Sequence, residues 1–251
     1  VNVAHSYDLV ARWYDVDMAR NMAYDDVGFY RGLALECGGR VLELGCGNGR
    51  ILLELLSAGC DAFGVDRSAG MLASLVEKAR ERGLRTPVAQ MDVRALGLVP
   101  GAALVLCPYS LVTYMADDED GARLCAEARR VLRRGGSLVL DAFVPRGEVA
   151  SGEFREDYRR AFDSGALTRA RRVTALAGGR NRIERRYAWS DAAGVVREEA
   201  QTCEVIRPYT PDALRAMLAQ RGFVVTDVWW DYGARAGPEG AQFVTMRAYF
   251  G

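Results

Sequence analysis

Three groups of residues in this chain have types and spacings that suit chemistry: glycines behind an acid, widely spaced carboxylates, and a few tyrosines with one histidine. The glycines lie in "VLELGCGNGR", Val41–Arg50, where Glu43 sits in the apolar run and Gly45, Gly47 and Gly49 follow at every second position. A glycine-rich turn behind a strand lets the backbone approach a ligand where a Cβ would collide, and several unrelated cofactors use one. A dinucleotide dehydrogenase wants G-x-G-x-x-G at this turn. Gly45 and Gly47 fit, but Arg50 takes the third position and Gly49 comes one place early. The mismatch falls where a helix would meet a pyrophosphate. Asp66 lies about twenty residues beyond the first glycine, where a carboxylate can accept both ribose hydroxyls. His5 is the only histidine, and the six cysteines are scattered without a C-x-x-C pair. That spacing argues against a metal site or a disulfide framework, and for a reducing, cytoplasmic setting.

The elements that must position these groups follow from the apolar pattern. Residues 40–45, 61–66, 86–92, 102–110 and 137–143 read as strands. Between them, 48–59, 68–83 and 117–136 read as helices, the second capped by Ser68 and stopped by Gly83. Alternation at this rhythm predicts βαβ units and a doubly wound, mostly parallel Rossmann-like α/β sheet, seven-stranded once the closing strands are added. The rhythm breaks after Phe143. Residues 144–165 read as loop and short helix, and 167–207 as three antiparallel strands turning at "GGRN" and "DAAG". A helix over 210–222, capped by Thr210, and strands over 223–230 and 241–250 then close the core. The domain expectation is lid helices over 1–37, a cofactor-binding core over 38–143, an antiparallel cap over 144–209, and a closing helix and strand pair over 210–251.

The chain has 251 residues, half of them hydrophobic, which allows a large core. Its formal net charge is zero, so no nucleic-acid or anionic-membrane partner is expected. No run of eighteen apolar residues predicts a membrane span, and the first ten residues lack a signal-peptide pattern. The expected assembly is a monomer or homodimer.

Residues 41–49 resemble the first motif of the class I S-adenosylmethionine-dependent methyltransferases, an apolar strand with an acid followed by G-x-G-x-G. Further stretches of that family follow in order: Asp66 closing the second strand, Asp92 in "MDVRAL", "LCPYSLVTYM" over 106–115, and "VLRRGGSLVLD" over 131–141, with Arg134 where proline is common. The resemblance implies S-adenosylmethionine as cofactor. It places Gly45, Gly47 and Gly49 beside the methionine moiety, Asp66 on the ribose, Asp92 on the adenine amino group and the Val93 amide on the ring. Glu43, Arg67 and Met71 are expected to complete the cofactor contacts, with Cys46 and Cys107 as small polarisable fillers. "YDLVARWYD" over 7–15 and the antiparallel insertion are similar to small-molecule methyltransferases of natural-product pathways, including those acting on antibiotic amino sugars. Tyr7 and Tyr14 are then expected to close a lid over the cofactor.

An already activated methyl donor leaves the protein to align nucleophile, methyl and sulfur and to exclude water. An amine acceptor need only be neutral, whereas a hydroxyl usually needs a base. The catalytic candidates are Tyr14, Tyr109 and His5. Strand ends of a parallel sheet face one way, so Asp141 and Phe143 are expected near the acceptor, with Tyr109, Tyr114, Trp230 and Tyr232 beside them and Arg207 and Tyr209 looking inward. Trp229 and Asp231 complete the "WWDY" edge. Of the cap arginines, among them Arg169 and Arg185, most are expected to face solvent. The sequence thus predicts methyl transfer to a small amine. Alternatives are a small-molecule O-methyltransferase and, less favoured, a non-catalytic cofactor-binding partner protein.

Overall fold

A computed structural model describes residues 6–18, 23–145 and 152–250. Two sheets carry the chain. The larger has seven strands: β1 (Val41–Leu44), β2 (Ala62–Asp66), β3 (Val88–Gln90), β4 (Ala102–Cys107), β5 (Leu132–Phe143), β10 (Phe223–Trp230) and β11 (Phe243–Phe250). They lie in the order β10-β11-β5-β4-β1-β2-β3. The pairs among β1 to β5 are parallel, and β11 runs antiparallel to both β5 and β10. β10 is therefore parallel to the first five strands, as expected. β1 and β4 are buried along their whole length, as the central strands of a sheet covered on both faces must be, and β1 buries Glu43 among its apolar residues.

Helices α4 (Leu52–Ser57), α5 (Ala69–Glu81), α6 (Asp118–Val131) and α7 (Pro211–Ala219) connect these strands, after α3 (Asp26–Glu36) enters the core. Their ends follow local chemistry. The Ser68 side chain accepts from the Met71 amide at 3.1 Å, and Gly83 leaves α5 at φ +67°. Asp117 caps α6 and Thr210 caps α7. α4 is shorter than expected, because Asn48–Arg50 belong to the glycine turn rather than to the helix. α6 stops at Val131, and β5 begins at Leu132, five residues earlier than the apolar pattern suggested.

The second sheet is the insertion, and it has four strands rather than three. β6 (Arg155–Phe162), β7 (Gly165–Leu176), β8 (Arg180–Ser190) and β9 (Val196–Ile206) form consecutive antiparallel pairs. β6 lies within the stretch read as loop and short helix. Its "REDYRRAF" lacks apolar alternation because it is an edge strand, where charge blocks further pairing. At the N-terminus, α1 (Ser6–Val10) and α2 (Tyr14–Met18) bridge the two sheets. Val10 and Trp13 pack there on Leu167 and Tyr187 of the insertion. Asp8 accepts from the Ser68 hydroxyl at 2.6 Å and the Gly70 amide at 2.8 Å, which ties α1 to the start of α5.

Candidate functional site

A cavity of about 570 Å³ opens where the parallel strands end, between the core, the bridging helices and the inner face of the second sheet. Its core wall contains Gly45 and Gly47 after β1, Asp66 and Arg67 at the end of β2, and Asp92 and Val93 after β3. Met71 of α5 lines it too. Asp66 accepts from the Gly47 amide at 2.9 Å and the Ser68 amide at 2.8 Å. A carboxylate offers about four acceptor sites, so Asp66 keeps capacity to receive a ligand hydroxyl. Burial pushes its pKa up, opposed by those amides. Asp92 is held by Arg94, at 2.6 Å through one guanidinium nitrogen and 2.9 Å through Nε, which draws its carboxyl below the usual range.

The three glycines do different work. All have positive φ, at +66°, +53° and +89° for Gly45, Gly47 and Gly49, a conformation costly for other residues. Gly45 and Gly47 line the cavity. Gly49 does not, contrary to expectation: a Cβ there would meet Leu75 Cγ at 2.8 Å and Leu53 Cγ at 2.9 Å, so its bareness lets α4 and α5 pack. Cys46 and Cys107 are also absent from the lining. Cys46 is buried against Gly64 of β2, and Cys107 lies in the apolar core beside the sheet. Glu43 is 2% exposed and does not line the cavity. Its Oε2 has no partner among the described residues, and burial raises its pKa well above the ordinary value.

Aromatic rings form the middle of the cavity. Tyr7, Tyr14, Tyr109, Tyr114 and Phe143 all line it. The Tyr7 and Tyr114 hydroxyls are 2.5 Å apart. The Tyr7 ring meets those of Tyr14 and Tyr114 edge-on, with centroids 6.2 and 6.3 Å away. Arg50 stacks over Tyr109 at 5.4 Å. Burial raises the pKa of each of these tyrosines, that of Tyr109 to about 12, so all stay protonated near neutral pH. His5 lies outside the described residues.

Five expected acceptor residues do not reach the cavity. Asp141 is fully buried and accepts four hydrogen bonds from protein groups, so it supports the wall instead of facing a ligand. Tyr232 is one of its donors, at 3.0 Å. Trp230 packs against the core. Arg207 pairs outward with Asp118 at 2.5 Å, and the Tyr209 hydroxyl donates to the Met115 carbonyl at 3.1 Å. The "WWDY" edge is used in packing the core: the Trp229 and Tyr232 rings pack on Phe29 of α3.

The lining residues not expected at the site include the polar group Asp17, Arg169, Arg185, Tyr187, Thr202 and Glu204. Arg169 is 7% exposed and pairs with Asp17, and with Asp157 at 2.9 Å. Asp17 also accepts from Tyr158 at 2.6 Å. Arg185 pairs with buried Glu204 at 2.6 Å and lies opposite Thr202 in the ladder. The signal existed in the sequence. Residues 183, 185 and 187 of β8, with 202 and 204 of β9, share one face by two-residue alternation. The abundance of arginine on the other face hid it.

Residues 41–136 match the family model described as a methyltransferase domain. The ubiquinone biosynthesis O-methyltransferase of Methylococcus capsulatus is 30% identical over 104 residues, 41% of this chain and 43% of that protein. The chain spans less than half the length of the first curated relatives that it matches. A crystal structure of an S-adenosylmethionine-dependent methyltransferase from Clostridium acetobutylicum superposes with a TM-score of 0.81 at 18% identity, covering 98% of this chain and 99% of that one. A sugar N-methyltransferase from Streptoalloteichus sp. gives 0.72 at 25% identity, covering 93% and 91%. The fold is that of the class I methyltransferases.

Proposed function

We propose that this chain, in which residues 41–136 form a methyltransferase domain, transfers a methyl group from S-adenosylmethionine to a small-molecule acceptor, with an amine nitrogen as the receiving atom. One observation carries the reading: a single cavity joins the glycine turn and Asp66 to a ring of aromatic side chains, with no free base beside that ring among the described residues. The cofactor supplies a methyl group activated on a sulfonium. The core wall fits it. Asp66 retains acceptor capacity for the ribose, Asp92 and Val93 line the adenine side, and the backbone of Gly45 and Gly47 comes to the surface without a Cβ.

The tyrosines present ring faces and edges that stabilise positive charge without a counter-ion, so they suit a centre where charge disperses during transfer. They also exclude water. Among the described lining residues, the tyrosines remain protonated and both Asp17 and Glu204 are paired with arginines. Asp92 and Asp120, which also line the cavity, pair with Arg94, and Asp66 holds the Gly47 and Ser68 amides, so no described lining residue is a free base for a hydroxyl acceptor, whereas a neutral amine attacks without one. The likeness to a sugar N-methyltransferase agrees with nitrogen, and the likeness to an O-methyltransferase makes oxygen the second reading.

The test measures S-adenosylhomocysteine release with paired acceptors, each pair a free amine and its N-acetylated counterpart with hydroxyls kept. Turnover confined to free amines is expected. Turnover with both members would move the receiving atom to oxygen.

A further inference from the structure

Tyr109 and the next residue, Ser110, are consecutive non-glycine residues in the left-handed region, at φ +52° and +57°. Two such residues in a row persist only where their surroundings hold them. Here one carboxylate does so. Asp141 accepts from the Tyr109 amide at 2.9 Å and the Ser110 amide at 2.5 Å. It also accepts from the Tyr30 hydroxyl at 2.5 Å and the Tyr232 hydroxyl at 3.0 Å. Asp141 is fully buried, and no cation pairs with it among the described residues. Its charge is balanced by donors alone, and those donors come from the loop after β4, from α3 and from the loop after β10.

The arrangement is directional. Ser110 in turn accepts from the Phe143 amide at 2.8 Å, so the turn is tied to the end of β5. Both Tyr109 and Phe143 present rings to the cavity, with centroids 5.8 Å apart. α3 reaches Tyr109 a second time. Asp26 holds Arg50 through two hydrogen bonds of 2.7 Å, and Arg50 stacks on the Tyr109 ring. One helix outside the cavity therefore constrains both the backbone and the ring of one wall residue.

We propose that Asp141 and Tyr30 are positioning residues for the acceptor, acting through the left-handed Tyr109–Ser110 turn to set the Tyr109 ring against the bound methyl donor. The proposal rests on the methyl-transfer reading of this cavity. Neither residue touches the cavity, so neither contributes to cofactor binding directly. Alignment carries much of the rate in transfer from an activated donor, and a shift on the order of 1 Å can cost roughly a hundredfold.

The test compares Tyr30→Phe, Tyr232→Phe and Asp141→Asn with the unaltered chain, each also in a Tyr109→Ala background. Cofactor affinity is read by calorimetry, turnover by S-adenosylhomocysteine release, and backbone conformation by crystallography. Tyr30→Phe is expected to lower kcat roughly ten- to a hundredfold, with cofactor Kd unchanged and no further loss once Tyr109 is alanine. An equal loss in both backgrounds would overturn the proposal, because Tyr30 would then act independently of Tyr109. Asp141→Asn turns one of the two acceptor oxygens into a donor, which leaves one of the Tyr109 and Ser110 amides facing an NH2 group, and is expected to drive residues 109 and 110 out of positive φ. If it does not fold, Tyr30→Phe and Tyr232→Phe carry the same comparison. If the unaltered chain methylates no acceptor, the methyl-transfer reading fails, and the crystal structures judge the positioning claim alone. An unchanged 109–110 turn in all variants would overturn it.

Discussion

Single residues divide sharply between touching the ligand and holding what touches it. Asp66 lines the cavity and, on the methyl-transfer proposal, belongs to the first group. Its pKa is raised by burial, and hydrogen bonds from ribose hydroxyls favour the charged form. Cofactor affinity should therefore be full at neutral pH. It should fall as the pH drops through that raised value, earlier than for an exposed aspartate. Asp66→Asn should flatten the profile and weaken binding about tenfold or more, a loss of roughly 1.5–3 kcal/mol typical of a hydrogen bond to a charged group. Calorimetry across pH checks both. Gly49 belongs to the second group. Gly49→Ala should cost about 1–3 kcal/mol of stability through overpacking against Leu53 and Leu75. The folded variant should keep its cofactor affinity within a few-fold. Denaturant unfolding beside calorimetry separates the two outcomes, and a selective loss of affinity would return Gly49 to the ligand. The sequence motif alone placed all three glycines at the cofactor, because spacing records where glycine is needed but not whether ligand or helix needs it.

The elements meet through ion pairs that periodicity could not reveal. α2 is fastened to the cap by Asp17, which takes Arg169 and Tyr158 from β7 and β6. The Asp17 and Arg169 side chains are 12% and 9% exposed, so removing one partner leaves a buried charge. Arg169→Ala should cost about 3–5 kcal/mol, whereas Asp17→Asn with Arg169→Met should recover much of it. Thermal and urea unfolding of the single and double variants check this, and equal losses would show that packing rather than charge dominates. The helices and strands of the core were legible because β4 is wholly apolar, β1 is apolar but for Glu43, and α5, α6 and α7 carry their own caps. β6 was not. A charged edge strand has no buried stripe, and its pairing with β7 is a long-range fact.

The whole molecule closes a cavity between two sheets that the chain builds far apart in sequence. A ligand that binds only this folded arrangement must stabilise it. S-adenosylhomocysteine at a hundred times its Kd should add about 2.7 kcal/mol and raise Tm by several degrees, while NAD at the same concentration should not. A scanning thermal assay checks this, and a rise with NAD instead would restore the dehydrogenase reading that Arg50 and Gly49 argue against. By itself, the sequence determined the parallel core, the antiparallel insertion after the fifth strand and the line of residues between Gly45 and Val93 that walls the cavity. These depend on local patterns: apolar runs, caps, and acids at strand ends. Only the tertiary structure decided that Asp141 and Tyr232 support Tyr109 instead of meeting a ligand. Only it turned Arg169 and Arg185 inward while Arg207 faces out. Those outcomes depend on which charged group finds a partner across the sheets. Two-residue alternation groups side chains on one face of a strand, but which partner each finds, from 19 to 152 positions away, leaves no trace in local pattern.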